Sequence, residues 1–206
     1  MKKPIIVLLM AALFLCLTAC TAQQEAKTDP EGSSSQQAAQ KLRHVEITIR
    51  DYGVVKLELY PELAPITVAN FIQLSKKGFY DGLTFHRIID GFMIQGGAPR
   101  SNSSDTRTIT GEFSENGWTQ NTLRHEAGVI SMARANDPNS ASSQFFICVG
   151  PVERLSHLDG KYAAFGRVTE GLEIAQKIAA DARPTDNNGS IAPDQQPVIE
   201  KIVVID

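Results

Sequence analysis

The 206-residue chain is poor in the residues that mark the commonest catalytic and structural devices. Its three cysteines, Cys16, Cys20 and Cys148, are too few and too unevenly placed for a disulfide framework. Its four histidines, His44, His86, His125 and His157, are scattered, with no HxxxH and no CxxC, so no metal site is expected. There is no GxSxG elbow and no phosphate-cradling glycine loop. An excess of positive charge is missing too. Lys plus Arg number 20 against 23 Asp plus Glu, a net charge of −3 with no face-sized basic cluster. That excludes a sequence-independent grip on nucleic acid, which needs many phosphate contacts. No apolar run reaches the roughly 20 residues needed to cross a bilayer as a helix. What remains, at 42% hydrophobic and 21% charged, is ordinary globular usage with enough length to bury a real core.

The N-terminus is patterned differently from the rest. Lys2 and Lys3 precede an apolar run from Ile5 to Leu17 that ends in small residues, the arrangement of a secretory signal peptide over residues 1–19. Leu17-Thr18-Ala19-Cys20 resembles the lipobox of bacterial lipoproteins. That resemblance implies lipidation of Cys20 as the first mature residue, and two or more acyl chains make a durable anchor. Residues 20–43 are then the lipidated cysteine and a flexible tether of Gln, Ala, Ser, Thr, Glu and Lys, too polar to repay ordering. Its reach is about 25 Å, from about 5–6 Å times the square root of its length. The expected location is the cell membrane, with the folded part on the extracytoplasmic side. An acidic chain is not drawn to anionic lipid, so the lipid alone would hold it.

From residue 44 to 206 the pattern is that of one domain. Val45, Ile47 and Ile49 alternate with polar residues, Asp51-Tyr52-Gly53 turns, and Val55, Leu57 and Leu59 alternate again, which predicts a β-hairpin. Pro65 opens a helix with Val68, Phe71 and Ile72 on one face and Gly78 as the stop. Short apolar runs at 83–89, 92–95, 128–132, 144–149, 163–168 and 198–205 predict further strands, and 171–180 a second helix. The fold class is therefore mostly β: a closed eight-stranded antiparallel barrel capped by two α-helices. Closure would leave no strand edge to protect. The polar stretch from Ala98 to Ala127 is long for a loop and is a candidate functional segment.

Two stretches carry the chemistry. FHRIIDGFMIQGG (Phe85 to Gly97) sets an arginine, a glutamine and a Phe-Met pair close together, and GVISMARANDPNSASSQFFIC (Gly128 to Cys148) adds a glutamine beside paired phenylalanines. With Leu158-Asp159-Gly160-Lys161 and Phe165-Gly166, they give residues 44–206 the look of a cyclophilin, a peptidyl-prolyl cis-trans isomerase. The family fold is an eight-stranded antiparallel barrel with two capping helices, in line with the strand and helix count. The resemblance implies an enzyme that needs no metal and no cofactor, because rotation about an Xaa-Pro bond breaks no covalent bond. Arg87 matches the family's catalytic arginine, a permanent charge able to meet the lone pair that the prolyl nitrogen gains when the amide twists. Gln95 matches the glutamine that hydrogen-bonds the substrate backbone. Phe92, Met93, Phe146 and Leu158 are implied as walls of the proline slot. Ala133, Arg134, Ala135 and Gln144 are implied as the groove for the residues before proline.

The departures are local. His157 stands where many eukaryotic members have tryptophan, which implies weak cyclosporin binding, and Tyr162 replaces a common histidine while still able to close the proline pocket. Arg134 occupies a frequent asparagine position. Taken alone, a Cys148 in mid-strand is a buried structural thiol, and His86 is a structural or rim residue on the face opposite Arg87. The function implied is a monomeric isomerase acting on proline-containing segments of exported proteins, touching membrane only through its lipid. The alternative is a non-catalytic proline-peptide binding module or chaperone on the same fold.

Overall fold

The computed structural model describes residues 41–100 and 107–206; the predicted leader, Cys20 and all but the end of the 20–43 tether lie outside the described residues. The chain order is β1 (Arg43–Ile49), β2 (Gly53–Leu59), α1 (Pro65–Lys76), β3 (Phe85–Ile89), β4 (Met93–Gly96), β5 (Val129–Met132), β6 (Phe145–Cys148), α2 (Val152–Leu155), β7 (Ala164–Glu170), α3 (Leu172–Asp181) and β8 (Ile199–Val204). Three single turns of 3-10 helix lie at Ser114–Asn116, Ser156–Leu158 and Pro193–Gln195.

Alternation makes the first hairpin. Val45, Ile47, Ile49, Val55, Leu57 and Leu59 all face the core at no more than 1% exposure, and the register pairs Ile49 with Gly53 across the turn. Asp51 takes the left-handed conformation (φ 65°) that this tight turn demands, tolerable for a short polar side chain. All eight strands pair antiparallel in the order β3-β4-β6-β5-β7-β2-β1-β8, curling into a half-barrel. Phe71 of α1 is the hub inside the curl, with ring centroids 5.2 Å from Tyr80, 5.4 Å from Phe145 and 5.3 Å from Phe165. Ala175 and Ile178 of α3 join the same cluster. The two expected helices are thus present, joined by the four-residue α2.

The expected closure is not. β3 and β8 end the sheet, and the seam between them holds one isolated bridge, Thr84 to Val198, plus the bonds Gly82 N–H to Ile199 O, Phe85 N–H to Pro197 O and Ile199 N–H to Leu83 O. The reason is what occupies the free edge of β3. The loop before β8 lies there instead of β8 itself: Ile88 N–H donates to Gly189 O at 2.7 Å and Ile191 N–H to His86 O at 3.0 Å. The edge is thus taken up by a loop, through an isolated antiparallel bridge of Arg87 to Ser190, rather than by a strand.

The polar stretch before β5 serves the fold where it is described. Ala64 at the start of α1 offers no side-chain cap, and Glu112 supplies one from afar. Its carboxylate, wholly buried, accepts the Ile66 N–H at 2.9 Å and the Thr67 N–H at 2.8 Å. Trp118 Nε1 donates to Leu63 O at 2.8 Å, and Asn121 Nδ2 donates to the carbonyls of Glu112 and Ala164. The stretch fastens α1 to the sheet.

Candidate active site

The position of Arg87 is set by an irregularity in β3. Phe85 pairs with Gly96 and Arg87 with Gln95, so three residues of β3 oppose two of β4 and His86 is the extra one. Without that bulge, Phe85 and Arg87 would share a face. With it, Phe85 and Ile88 are fully buried in the core while Arg87 is turned to the outer face of the sheet. Register then lines up a row across four strands: Arg87 on β3, Gln95 on β4, Phe146 on β6 and Ser131 on β5. Met93 opposite Cys148 forms the next row on the same face, whereas Ile94 and Ile147 point inward to the main core. The outer rows are covered by the 152–162 segment, giving a second, smaller cluster of Met93, Val129, Phe146, Cys148, Leu155, Leu158 and Ala164.

A hollow of about 270 Å³ opens beside this cluster. Arg87, Phe92, Met93, Gln95, Ala133, Arg134, Phe146, His157, Leu158 and Tyr162 line it, which brings together every residue predicted for the site except Ala135 and Gln144. Gln144 is one hydrogen bond away, its Oε1 accepting from Gln95 Nε2 at 3.1 Å. Ala135 is exposed, and its N–H is already donated to Ser140 Oγ at 2.9 Å.

The guanidinium of Arg87 is clamped on two sides. Nε donates to Asn188 O at 2.8 Å and Nη1 to Gln95 Oε1 at 3.1 Å, while Nη2 has no partner among the described residues. The Sδ of Met93 lies 3.9 Å from Nη1. Phe146 forms the floor, and Tyr162 meets its ring edge-on with centroids 5.9 Å apart. His157 stacks on Phe92 at 5.7 Å and extends the rim. Arg134 closes one wall: its guanidinium sits 4.7 Å from the Tyr162 ring and 5.2 Å from the Phe113 ring, and it donates to Lys161 O and Ala135 O. That is a built wall, stacked on both sides, rather than a solvated charge.

His86 does not line the hollow; its Nδ1 is buried without a hydrogen-bond partner among the described residues, and burial draws its pKa below the ordinary imidazole range. Cys148 is buried too, its thiol pushed up to about 12 by desolvation, which removes it as a nucleophile. Two contributors carry no mark in the sequence. Asn188 acts through its backbone oxygen, and only the Asp-Asn-Asn-Gly turn around it hints at a shaped loop. Phe113, the far side of the Arg134 sandwich, sits inside the polar stretch with nothing to single it out.

Known proteins resemble the chain over most of its described length. The profile described as "Cyclophilin type peptidyl-prolyl cis-trans isomerase/CLD" matches residues 44–204. Peptidyl-prolyl cis-trans isomerase B of Bacillus subtilis is 45% identical over 131 residues, covering 64% of this chain and 87% of the relative. Peptidyl-prolyl cis-trans isomerase A of Dickeya dadantii is 42% identical over 144 residues, covering 69% and 74%. Among solved structures, a cyclophilin-type peptidyl-prolyl cis-trans isomerase of Cryptosporidium parvum superposes with a TM-score of 0.66 at 29% identity, covering 81% of this chain and 99% of that one. The same Cryptosporidium protein, crystallised in the presence of the dipeptide Ala-Pro, gives 0.65 at 30% identity, covering 79% and 99%. With its bulge-displaced arginine, its glutamine pair and its aromatic floor on the outer face of the half-barrel, the chain belongs to the cyclophilin-type peptidyl-prolyl cis-trans isomerases.

Proposed function

We propose that this isomerase works on exported polypeptides from the outer side of a membrane, anchored by lipid at Cys20, and that Arg87 is its catalytic group. The barrier to rotation about an Xaa-Pro bond is about 20 kcal/mol and comes from amide resonance. Twisting removes that resonance and leaves a lone pair on a pyramidal prolyl nitrogen. A donor that meets this lone pair binds the twisted state better than either planar one, which is the condition for catalysis. The Nη2 of Arg87 is that donor. Nε and Nη1 are engaged before any substrate arrives, so little reorganisation is needed when the lone pair develops. The observation carrying this reading is that half-engaged fork in a hollow it shares with Phe92, Met93, Phe146 and Leu158.

The remaining roles follow from place. Phe92, Met93, Phe146 and Leu158 grip the prolyl ring, so that the carbonyl before it is the part that swings. Gln95 fixes Arg87 and hydrogen-bonds the substrate backbone, and Gln144, Ala133, Arg134 and Ala135 meet the residues before proline. His157 and Tyr162 close the rim. A relative crystallised in the presence of Ala-Pro supports a proline-containing ligand in this hollow. The signal and lipobox pattern of residues 1–20 supports the export and anchoring, and slow proline steps in folding chains give a monomeric, membrane-held catalyst its work.

Magnetisation-exchange NMR on an Ala-Xaa-Pro peptide tests the activity. The free peptide interconverts over about 10–100 s, and catalytic amounts of protein should bring exchange into the sub-second range. A protein that binds the peptide and leaves its exchange rate unchanged is the non-catalytic module instead. For the anchor, Cys20→Ala should release the protein from membranes or stall its processing. Unchanged retention would contradict lipidation.

A further inference from the structure

Behind the hollow lies a polar group that the isomerisation chemistry does not use. His125, in the irregular segment before β5, is 1% exposed and stacks on the Phe146 ring with centroids 6.0 Å apart and planes at 17°. Its Nδ1 lies 3.0 Å from Asp159 Oδ1, and its Nε2 lies 3.0 Å from the Oγ of Ser131, itself fully buried. Asp159 Oδ1 also accepts the His125 backbone N–H at 2.7 Å. A carboxylate only accepts, so Nδ1 carries the proton and Nε2 accepts the serine hydroxyl. Ser, His and Asp stand in the order of a hydrolytic relay, yet the serine is sealed beneath Phe146 and no substrate reaches it.

What the relay does reach is the floor of the proline-binding hollow. Ser131 is the register partner of Phe146, Asp159 directly follows Leu158, and the imidazole covers one face of the Phe146 ring. One side chain thus ties the strand under the hollow to the corner that forms its wall. We propose that His125 is a positioning residue of the isomerase: neutral, it holds the Phe146 ring and Leu158 in the geometry that grips proline, and taking up a proton releases them. The proposal rests on the isomerase reading of the site, with those two side chains as its walls.

Proton uptake would put a second donor against Ser131 Oγ, whose only hydrogen bond among the described residues is the one to His125. The hydroxyl would have to turn its own proton into a buried, apolar setting. Burial, the larger influence, draws the imidazole below its ordinary range, against the upward pull of Asp159. The other ionisable groups facing this corner are His157, whose charge would oppose that of His125, and the Cys148 thiol, which stays protonated. Glu126, next in the chain, is engaged by Arg167 of β7. Because the unfolded chain takes up this proton first, the native contribution is intact above about pH 6.5 and declines as pH falls below it.

The test follows kcat and KM for peptide exchange between about pH 4.5 and 8, with circular dichroism at each pH to confirm the fold. The wild type should lose kcat on the acid side while still folded. His125→Gln should lower neutral-pH kcat about tenfold at near-constant KM, as a small misplacement of the grip would, and should lack the acid limb. Asp159→Asn keeps an acceptor for Nδ1–H and removes the charge, so its limb should move to lower pH; in His157→Gln it should stay. A folded His125→Gln with wild-type kcat, or with the limb retained, overturns the proposal. If His125→Gln does not fold, an unmoved limb in Asp159→Asn overturns it. An active wild type with either result sinks this inference alone, whereas a wild type without exchange activity sinks the isomerase reading with it.

Discussion

Replacing Glu112 by alanine should weaken the fold markedly and leave the chemistry alone. The carboxylate is fully buried and holds two N–H groups of the first turn of α1, at 2.9 and 2.8 Å, where Ala64 offers nothing. Each buried donor left unpaired costs about 1–3 kcal/mol, and loss of an N-terminal cap about 0.5–2 kcal/mol. These ranges describe overlapping effects, so about 3 kcal/mol is a fair expectation for both donors together. In a domain of this size that corresponds to a fall in Tm of about 6–12 °C. Glu112→Gln keeps one acceptor oxygen and should lose about half as much. Thermal unfolding by calorimetry measures the shift, and exchange kinetics at 25 °C measure activity per folded molecule, which should match the wild type. An alanine variant melting within about 2 °C of the wild type would refute the cap. So would a fully folded variant that has lost activity, since the polar stretch would then be functional rather than a fastening.

Three shorter expectations bear on the site and its frame. Asp186 gathers the Asn188 N–H, the Ser190 N–H and the Ser190 hydroxyl, shaping the loop whose Asn188 carbonyl holds Arg87. Asp186→Ala should cut kcat about fivefold with little change in Tm, and an unchanged kcat would free Arg87 from dependence on that loop. Hydrogen bonds from the Ser190 N–H and hydroxyl hold the Asp186 carboxyl below the usual carboxylate range, so this support is present above about pH 3.9 and is lost as pH falls through the lower folded value. Cys148 should resist alkylation at about pH 8 in the native protein and react once denatured. Rapid native labelling would contradict its burial. Gly150→Ala would place a Cβ 1.9 Å from the Gly91 carbonyl oxygen, and should cost about 1–3 kcal/mol in chemical denaturation. A neutral substitution there would mean the turn before Phe92 can yield.

Much of the fold was legible because strands that bury one face announce themselves by alternation. Val45, Ile47 and Ile49 against Val55, Leu57 and Leu59 leave one possible register. The first helix carries its own start and stop residues, Pro65 and Gly78. The site was legible in part from residue kinds at fixed spacing, above all the Arg-Phe-Met-Gln set between Phe85 and Gly97. Closure leaves no mark in the sequence because it depends on which segment reaches the free edge of β3, and the loop carrying Gly189 does so ahead of β8. The bulge at His86 has no signature of its own, since strict alternation would put Arg87 with Phe85. Glu112 looked like one more polar loop residue because its partners, Ile66 and Thr67, are distant in sequence. Backbone contributions such as the Asn188 carbonyl leave no side-chain trace at all.

Arg87 itself offers the most direct trial. Peptide affinity and catalysed exchange should be measured together for the wild type, Arg87→Lys and Arg87→Ala. Lysine keeps the charge and loses the fork that Asn188 and Gln95 hold, whereas alanine loses both. Binding should persist in all three, because the apolar walls Phe92, Met93, Phe146 and Leu158 remain. Exchange should fall by about 10²–10³ in Arg87→Ala, the loss typical of one preorganised donor to a transition state, and by less in Arg87→Lys. An alanine variant that binds the peptide and still turns it over at the wild-type rate would show that the twisted amide is stabilised by something else.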